Sequence, residues 1–169
     1  MDATGIEMTR GRDTRKAIAV AGAAAFAIVL IGGLLTDTGL WYQSLLKPSW
    51  QPPDWLFAPV WIVIFALTAT SAVAAWRRAS DANSRRWVIA LFAANACLNV
   101  LWSALFFAFK RPDFALIEVV FLWLSVLLPI GLFWRGARVS SYLLLPYLVW
   151  VTFAAVLNLA VVQLNAPFG

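Results

Sequence analysis

Five apolar stretches, each long enough to cross a bilayer, leave this chain few folds to choose from. A spanning helix needs roughly 20 predominantly apolar residues. Stretches of that length lie near 17–36, 56–76, 87–109, 114–134 and 142–163. In hydrocarbon no water is present to pair backbone N–H and C=O groups, so such segments must be helical. The expectation is an all-α integral membrane protein: a bundle of five transmembrane helices in a single domain, 17–165, behind a basic tail, 1–16. Composition agrees. The chain is 63% hydrophobic and 12% charged, whereas soluble domains average about 45–50% and about 25%. Arg10, Arg12, Arg15 and Lys16 before an Ala-rich run also look like a signal peptide. The run is about twenty residues long, has no obvious A-x-A cleavage site and is followed by four more spans, so it reads as a retained helix.

The connections 77–86, 110–113 and 135–141 are short and polar, which makes sequential helices antiparallel neighbours. The exception is 37–55, which holds Trp41, Trp50, Trp55, Pro48, Pro52 and Pro53. Proline removes a backbone donor and restricts its neighbour, so this segment cannot be helical throughout. A long loop in so economical a chain marks function.

Ten Lys/Arg flank the spans on the side of the N-terminus and the second and fourth loops, against three on the other side. For a multi-pass protein of a bacterial cell membrane, this predicts a cytoplasmic N-terminus and a long loop on the far face. An organelle or outer membrane is the alternative location, and organelle insertion inverts the orientation. The net charge of +5 lies in these flanking runs, so no nucleic-acid partner is expected; membrane lipid is.

Several chemistries are excluded by absence. With no His there is no His-ligated metal, no His-ligated haem and no His-based acid–base catalysis. The lone Cys97 forms no internal disulfide and reads as a small buried residue. No catalytic triad, paired carboxylates or phosphate-binding glycine loop is present. Gly32 and Gly33, adjacent rather than four apart, read as a flexible or close-packed point. Glu118 is the one carboxylate well inside a span, either a snorkelling or paired acid or a polar contact or proton-handling group within the bundle, with no second intramembrane acid to form a relay.

Ten tryptophans carry the positive signal. Trp76, Trp87 and Trp134 sit at span ends, as an interfacial belt requires. Trp61, Trp102, Trp123 and Trp150 fall inside spans, where an indole N–H finds no partner in lipid and so faces protein or a cavity. Asn95 and Asn99 share a face of the third span, with Trp102 near it, and Asn158 lies late in the fifth. At ~1.5 Å per residue, Trp61, Trp102 and Asn99 lie roughly 8, 10 and 15 Å inside the long-loop face. The expectation is a cavity beneath the loop, walled by indoles, dotted with amides and suited to a flat apolar ligand. The alternative is that these residues only glue helices together.

The segment WYQSLLKPSWQPPDWLFAPVW resembles the signature of the TspO/MBR family of tryptophan-rich sensory and translocator proteins, the peripheral benzodiazepine receptor family. Trp41, Tyr42, Leu45, Lys47, Pro48, Trp50, Pro52, Pro53, Phe57, Pro59 and Trp61 occupy its positions. Two further blocks match in order and spacing: NACLNVLWSALFF with Asn99, Trp102, Phe106 and Phe107, and PYLVWVTFAAVLN with Pro146, Tyr147, Trp150 and Asn158. The resemblance implies five helices, usually a homodimer, and a pocket beneath the first loop. Its implied ligands are porphyrins such as protoporphyrin IX and isoquinoline or benzodiazepine-type drugs, with cholesterol in animal members. The implied ligand-binding residues are Tyr42, Trp61, Asn95, Asn99, Trp102, Phe106, Trp150 and Asn158, and the implied loop or lid residues are Trp41, Lys47, Pro48, Trp50, Pro52 and Pro53. Two departures stand out. The end of the fifth span, VLNLAVVQLNAPFG, lacks the Tyr and basic residue of the animal cholesterol motif; only a loose match occurs at Leu40, Tyr42 and Lys47. Asn95 stands where the family commonly has Gln.

The expected function is that of a membrane receptor or regulator that binds metal-free porphyrin, sequestering or moving it, with no cofactor required. The alternatives are an enzyme for light- or oxygen-dependent porphyrin breakdown, a sterol or small-molecule transporter, and a ligand-free helical adaptor.

Overall fold

The computed structural model describes residues 3–168, with side chains from residue 13 onward. Residues 1 and 2 of the basic tail, and the side chains of Arg10 and Arg12, lie outside the described residues. The fold is all-helical. Six α-helices form among the described residues: α1 (Ala3–Leu35), the short α2 (Leu40–Ser44), α3 (Phe57–Arg78), α4 (Ala82–Ser103), α5 (Pro112–Phe133) and α6 (Arg138–Asn165). All but α2 are long and apolar enough to cross a membrane.

Several helices overrun the apolar stretches, and for the fourth the cause is a polar cap. The tail at 3–16 continues α1 as helix. The fourth helix begins at Ala82, ahead of the apolar stretch at 87, because Asp81 caps it: Oδ1 accepts the Ser84 N–H at 2.9 Å. The Ser84 N–H and hydroxyl, with the Ser80 hydroxyl, hold the Asp81 carboxyl down at about 2. α5 starts with Pro112 in its first turn, where a missing N–H costs nothing. α4 ends in a π-helical turn, Ala104–Ala108, a feature frequent at functional sites. It turns Phe106 and Phe107 toward Trp102, with ring centroids 5.2 and 6.2 Å away.

The core is a seam between α3, α5 and α6, built on Ile64, Val119, Leu122, Val126, Ile130, Leu144, Tyr147 and Val151. Near its end two serines lock α3 to α6 reciprocally. Ser71 Oγ donates to the Ser140 carbonyl (2.9 Å), and Ser140 Oγ donates to the Ser71 carbonyl (3.0 Å). Small side chains that hydrogen-bond across a helix pair are a usual form of glue in lipid. α1 differs: none of its residues from 13 to 35 is buried. Cys97, read as buried, instead faces outward from α4, because the bundle-facing stripe of that helix runs through Val88, Asn95 and Asn99.

Candidate functional site

The loop between α1 and α3 is a structured cover. Gly39 permits its start: the Gly39 N–H donates to Asp37 Oδ1 at 2.8 Å, and a Cβ there would meet that same oxygen at 2.8 Å. Tyr42 Oη donates to Asp54 Oδ1 (2.9 Å), and Gln51 Nε2 donates to both Asp54 Oδ1 (3.0 Å) and Tyr42 Oη (3.3 Å). Burial, with the Asp54 carboxylate beside it, pushes the Tyr42 phenol up to about 12. Lys47 Nζ lies 3.7 Å over the Tyr42 ring. At the other end of the loop, Asn165 latches it to α6: Leu46 N–H donates to Asn165 Oδ1, and Asn165 Nδ2 returns a bond to the Leu46 carbonyl, both 2.8 Å.

Beneath this cover lies a cavity of about 450 Å³, within the range of pockets for drug-sized ligands. Its floor and walls are aromatic. Trp61 meets Trp150 edge to face at 6.4 Å and stacks on Phe65 at 5.2 Å, and Phe57 meets Trp150 at 5.6 Å. Trp102 and Phe106 stack opposite. The α1 wall is hollow because Gly32 and Gly33 line it, and a Cβ at either would meet nothing within 4 Å. They shape the cavity wall and do not form a close-packed point. The Nε1 atoms of Trp102 and Trp150 are buried without an acceptor among the described residues. Trp123, also inside a span, is satisfied elsewhere: its Nε1 donates to Thr152 Oγ1 at 2.9 Å.

Of the residues singled out from sequence, Tyr42, Trp61, Asn99, Trp102, Phe106, Trp150, Asn158 and Lys47 line this cavity. Asn95 does not; it faces a second cavity on the other side of Phe65, and its Nδ2 donates to Ser125 Oγ at 2.8 Å. Trp41, Pro48, Trp50, Pro52 and Pro53 stand outside the lining and shape the cover, Trp41 against Phe106 and Trp50 against Phe153. The amides that line the cavity are already engaged. Asn99 Nδ2 donates to Tyr147 Oη (3.2 Å). The Asn158 amide fits with Nδ2 donating to the Pro112 carbonyl (3.1 Å) and Oδ1 accepting the Leu116 N–H (3.0 Å). Both amides therefore bind helix to helix at the cavity wall. Glu118 is buried with no partner for either oxygen among the described residues; Arg111 pairs with Asp113 instead.

Sequence reasoning missed Asn165, Gln51 and Asp54. Asn165 lies just past the apolar stretch that ends at 163, where an amide carries no periodic signal. A pairing between Gln51, Asp54 and Tyr42 needs the loop's fold to be known. No group of three metal-ligating side chains occurs among the described residues.

Residues 18–164 match the model of the TspO/MBR family. Among curated proteins, the chain is 41% identical to the tryptophan-rich protein TspO of Chlorobaculum tepidum, over 74% of this chain and 79% of that protein. It is 37% identical to the protein CrtK of Rhodobacter capsulatus, over 79% and 83%. It is 30% identical to the translocator protein of Sus scrofa, over 82% and 87%.

Proposed function

Because this integral membrane chain belongs to the TspO/MBR family, we propose that it is a receptor or regulator that holds metal-free porphyrins of the protoporphyrin IX type in the cavity beneath the first loop. The observation that carries this reading is the aromatic chamber of about 450 Å³ walled by Trp61, Trp102 and Trp150. A flat macrocycle stacks on such rings, each good contact adding about 0.5–1.5 kcal/mol beyond area burial. Propionate groups need a cation at the mouth, and Lys47 is the lysine of the lining.

The excess of basic residues at the ends opposite the loop supports a cytoplasmic N-terminus with the covered cavity toward the far face. A homodimer in the membrane belongs to the same reading.

Titration of the detergent-solubilised protein with protoporphyrin IX, read as quenching of tryptophan emission, tests the proposal. Trp61→Ala combined with Trp150→Ala is expected to weaken binding by about tenfold or more, the equivalent of two lost ring contacts. Helicity measured in parallel identifies a folded variant. Unchanged affinity in a folded double variant rules the chamber out as the porphyrin site.

A further inference from the structure

A second cavity of about 390 Å³ opens between α1, α3 and α4 in the opposite half of the bundle. It begins at Lys16 and Trp76, at the basic ends of these helices, and closes at Ile28 and Phe65, which also line the first cavity. From Lys16 to Ile28 is about 18 Å of helix, close to the roughly 15 Å depth of one leaflet's hydrocarbon. The slot exists because α1 presents alanines, among them Ala21 and Ala24, to a wall that is itself rich in alanine. Its interior offers a ligand almost no polar group, since Thr68 Oγ1 donates to the Ile64 carbonyl (2.8 Å) and the Asn95 amide to Ser125.

The mouth has the opposite character. Lys16 lines the slot, and Arg85, outside the lining, lies with Cζ 4.4 Å over the ring of Trp76, which also lines it; the Arg85 Nε is buried without an acceptor among the described residues. Arg77 and Arg78 end α3, and Arg86 follows Arg85. The nearby carboxylates form no ion pair with these basic groups among the described residues. Asp81 accepts from Ser80 and Ser84 instead. Asp13, one turn before Lys16, makes no ion pair with it among the described residues, where the one salt bridge is Arg111–Asp113.

We infer that this slot holds one acyl chain of an anionic phospholipid, with the phosphate at the mouth against Lys16 and Arg85. A narrow apolar channel one leaflet deep fits a hydrocarbon chain. A basic rim between transmembrane helices selects an anionic headgroup.

The experiment is native mass spectrometry of the full chain, delipidated in detergent and then supplied with dioleoylphosphatidylglycerol or dioleoylphosphatidylcholine. The wild-type chain is expected to retain one phosphatidylglycerol and to prefer it by about fivefold per basic side chain engaged. Ala21→Trp fills the slot and should abolish retention of both lipids. The double variant Lys16→Gln with Arg85→Gln leaves the slot open, so it should keep retention but erase the preference. Equal retention of the two lipids by the wild-type chain overturns the inference. So does retention that survives a folded Ala21→Trp chain, or Ala21→Trp dissociating a dimer while lipid stays bound, which assigns the groove to a second copy. Should Ala21→Trp not fold, the double variant decides: an undiminished preference in it refutes the headgroup assignment. None of these measurements involves porphyrin, so they stand or fall independently of the first cavity.

Discussion

The two sides of this bundle are built on different principles. α5 and α6 each bury eight residues, among them Val126, Leu144 and Val151, while α1 buries none from 13 to 35. Both cavities have α1 as a wall, one along Gly32 and Gly33, the other along its alanines. Small side chains let helices approach closely in lipid, but where the alanines of α1 face a wall that is also rich in alanine they leave space unfilled. The α3–α5–α6 seam holds the buried core, and the α1 side borders the two cavities.

The largest expected effect tests that division directly. Leu144 is 2% exposed, whereas Val20 on α1 is 69% exposed. Leu144→Ala should lower stability by about 2–5 kcal/mol, the range for a core leucine or isoleucine truncated to alanine. Val20→Ala should stay within about 0.5 kcal/mol. Reversible unfolding in mixed detergent micelles measures both. A Val20→Ala cost equal to that of Leu144→Ala would mean that α1 is as firmly packed as the seam.

The next effect reverses the sense of the comparison, because on the α1 side added volume should harm binding and spare the fold. Gly32→Phe puts a ring into the first cavity at a point where a Cβ meets nothing within 4 Å. Replacing glycine within a helix also favours the helical state. The variant should therefore unfold no earlier than the wild type. Its porphyrin affinity should fall by about tenfold or more, the equivalent of 1–3 kcal/mol of overpacking. Loss of stability together with affinity would show that α1 approaches the bundle more closely there than the cavity suggests.

The same asymmetry explains what the sequence made legible. The five spans could be read because apolar length alone decides them. Trp61, Trp102 and Trp150 could be placed because depth is counted along a helix, and all three line the cavity. Asn95 could not be separated from Asn99 by spacing. One helical turn, about 6 Å, carries it past Phe65 into the second cavity. Nor could the use of Asn158 be read, because its partners are the Pro112 carbonyl and the Leu116 N–H, backbone groups that carry no residue identity. Gly32 and Gly33 were ambiguous for a related reason: a missing side chain marks a close approach or a hollow equally well, and only the neighbouring helices decide which.

The smallest effect concerns the cover. Tyr42 is half-buried, hydrogen-bonded to Asp54 at 2.9 Å, and its phenol is pushed up to about 12 from 10.0 by burial and by that carboxylate. A group whose pKa is raised on folding contributes fully below its unfolded value and loses that contribution as pH rises through the folded one. The tie between Tyr42 and Asp54 should therefore be intact below pH 10 and fail between pH 10 and about 12. One partly exposed hydrogen bond contributes at the low end of about 0.5–1.5 kcal/mol. Porphyrin should accordingly leave about two- to threefold faster once the phenol ionises. Tyr42→Phe should release it at that faster rate at every pH, since phenylalanine lacks the hydroxyl but keeps the ring under Lys47. Stopped-flow dissociation, followed alongside tyrosinate absorbance, reads both. If Tyr42→Phe keeps the wild-type pH step, another group governs the release. If it removes the step without raising the neutral-pH rate, the hydroxyl tie does not hold the cover closed, and that role passes to the latch between Asn165 and Leu46.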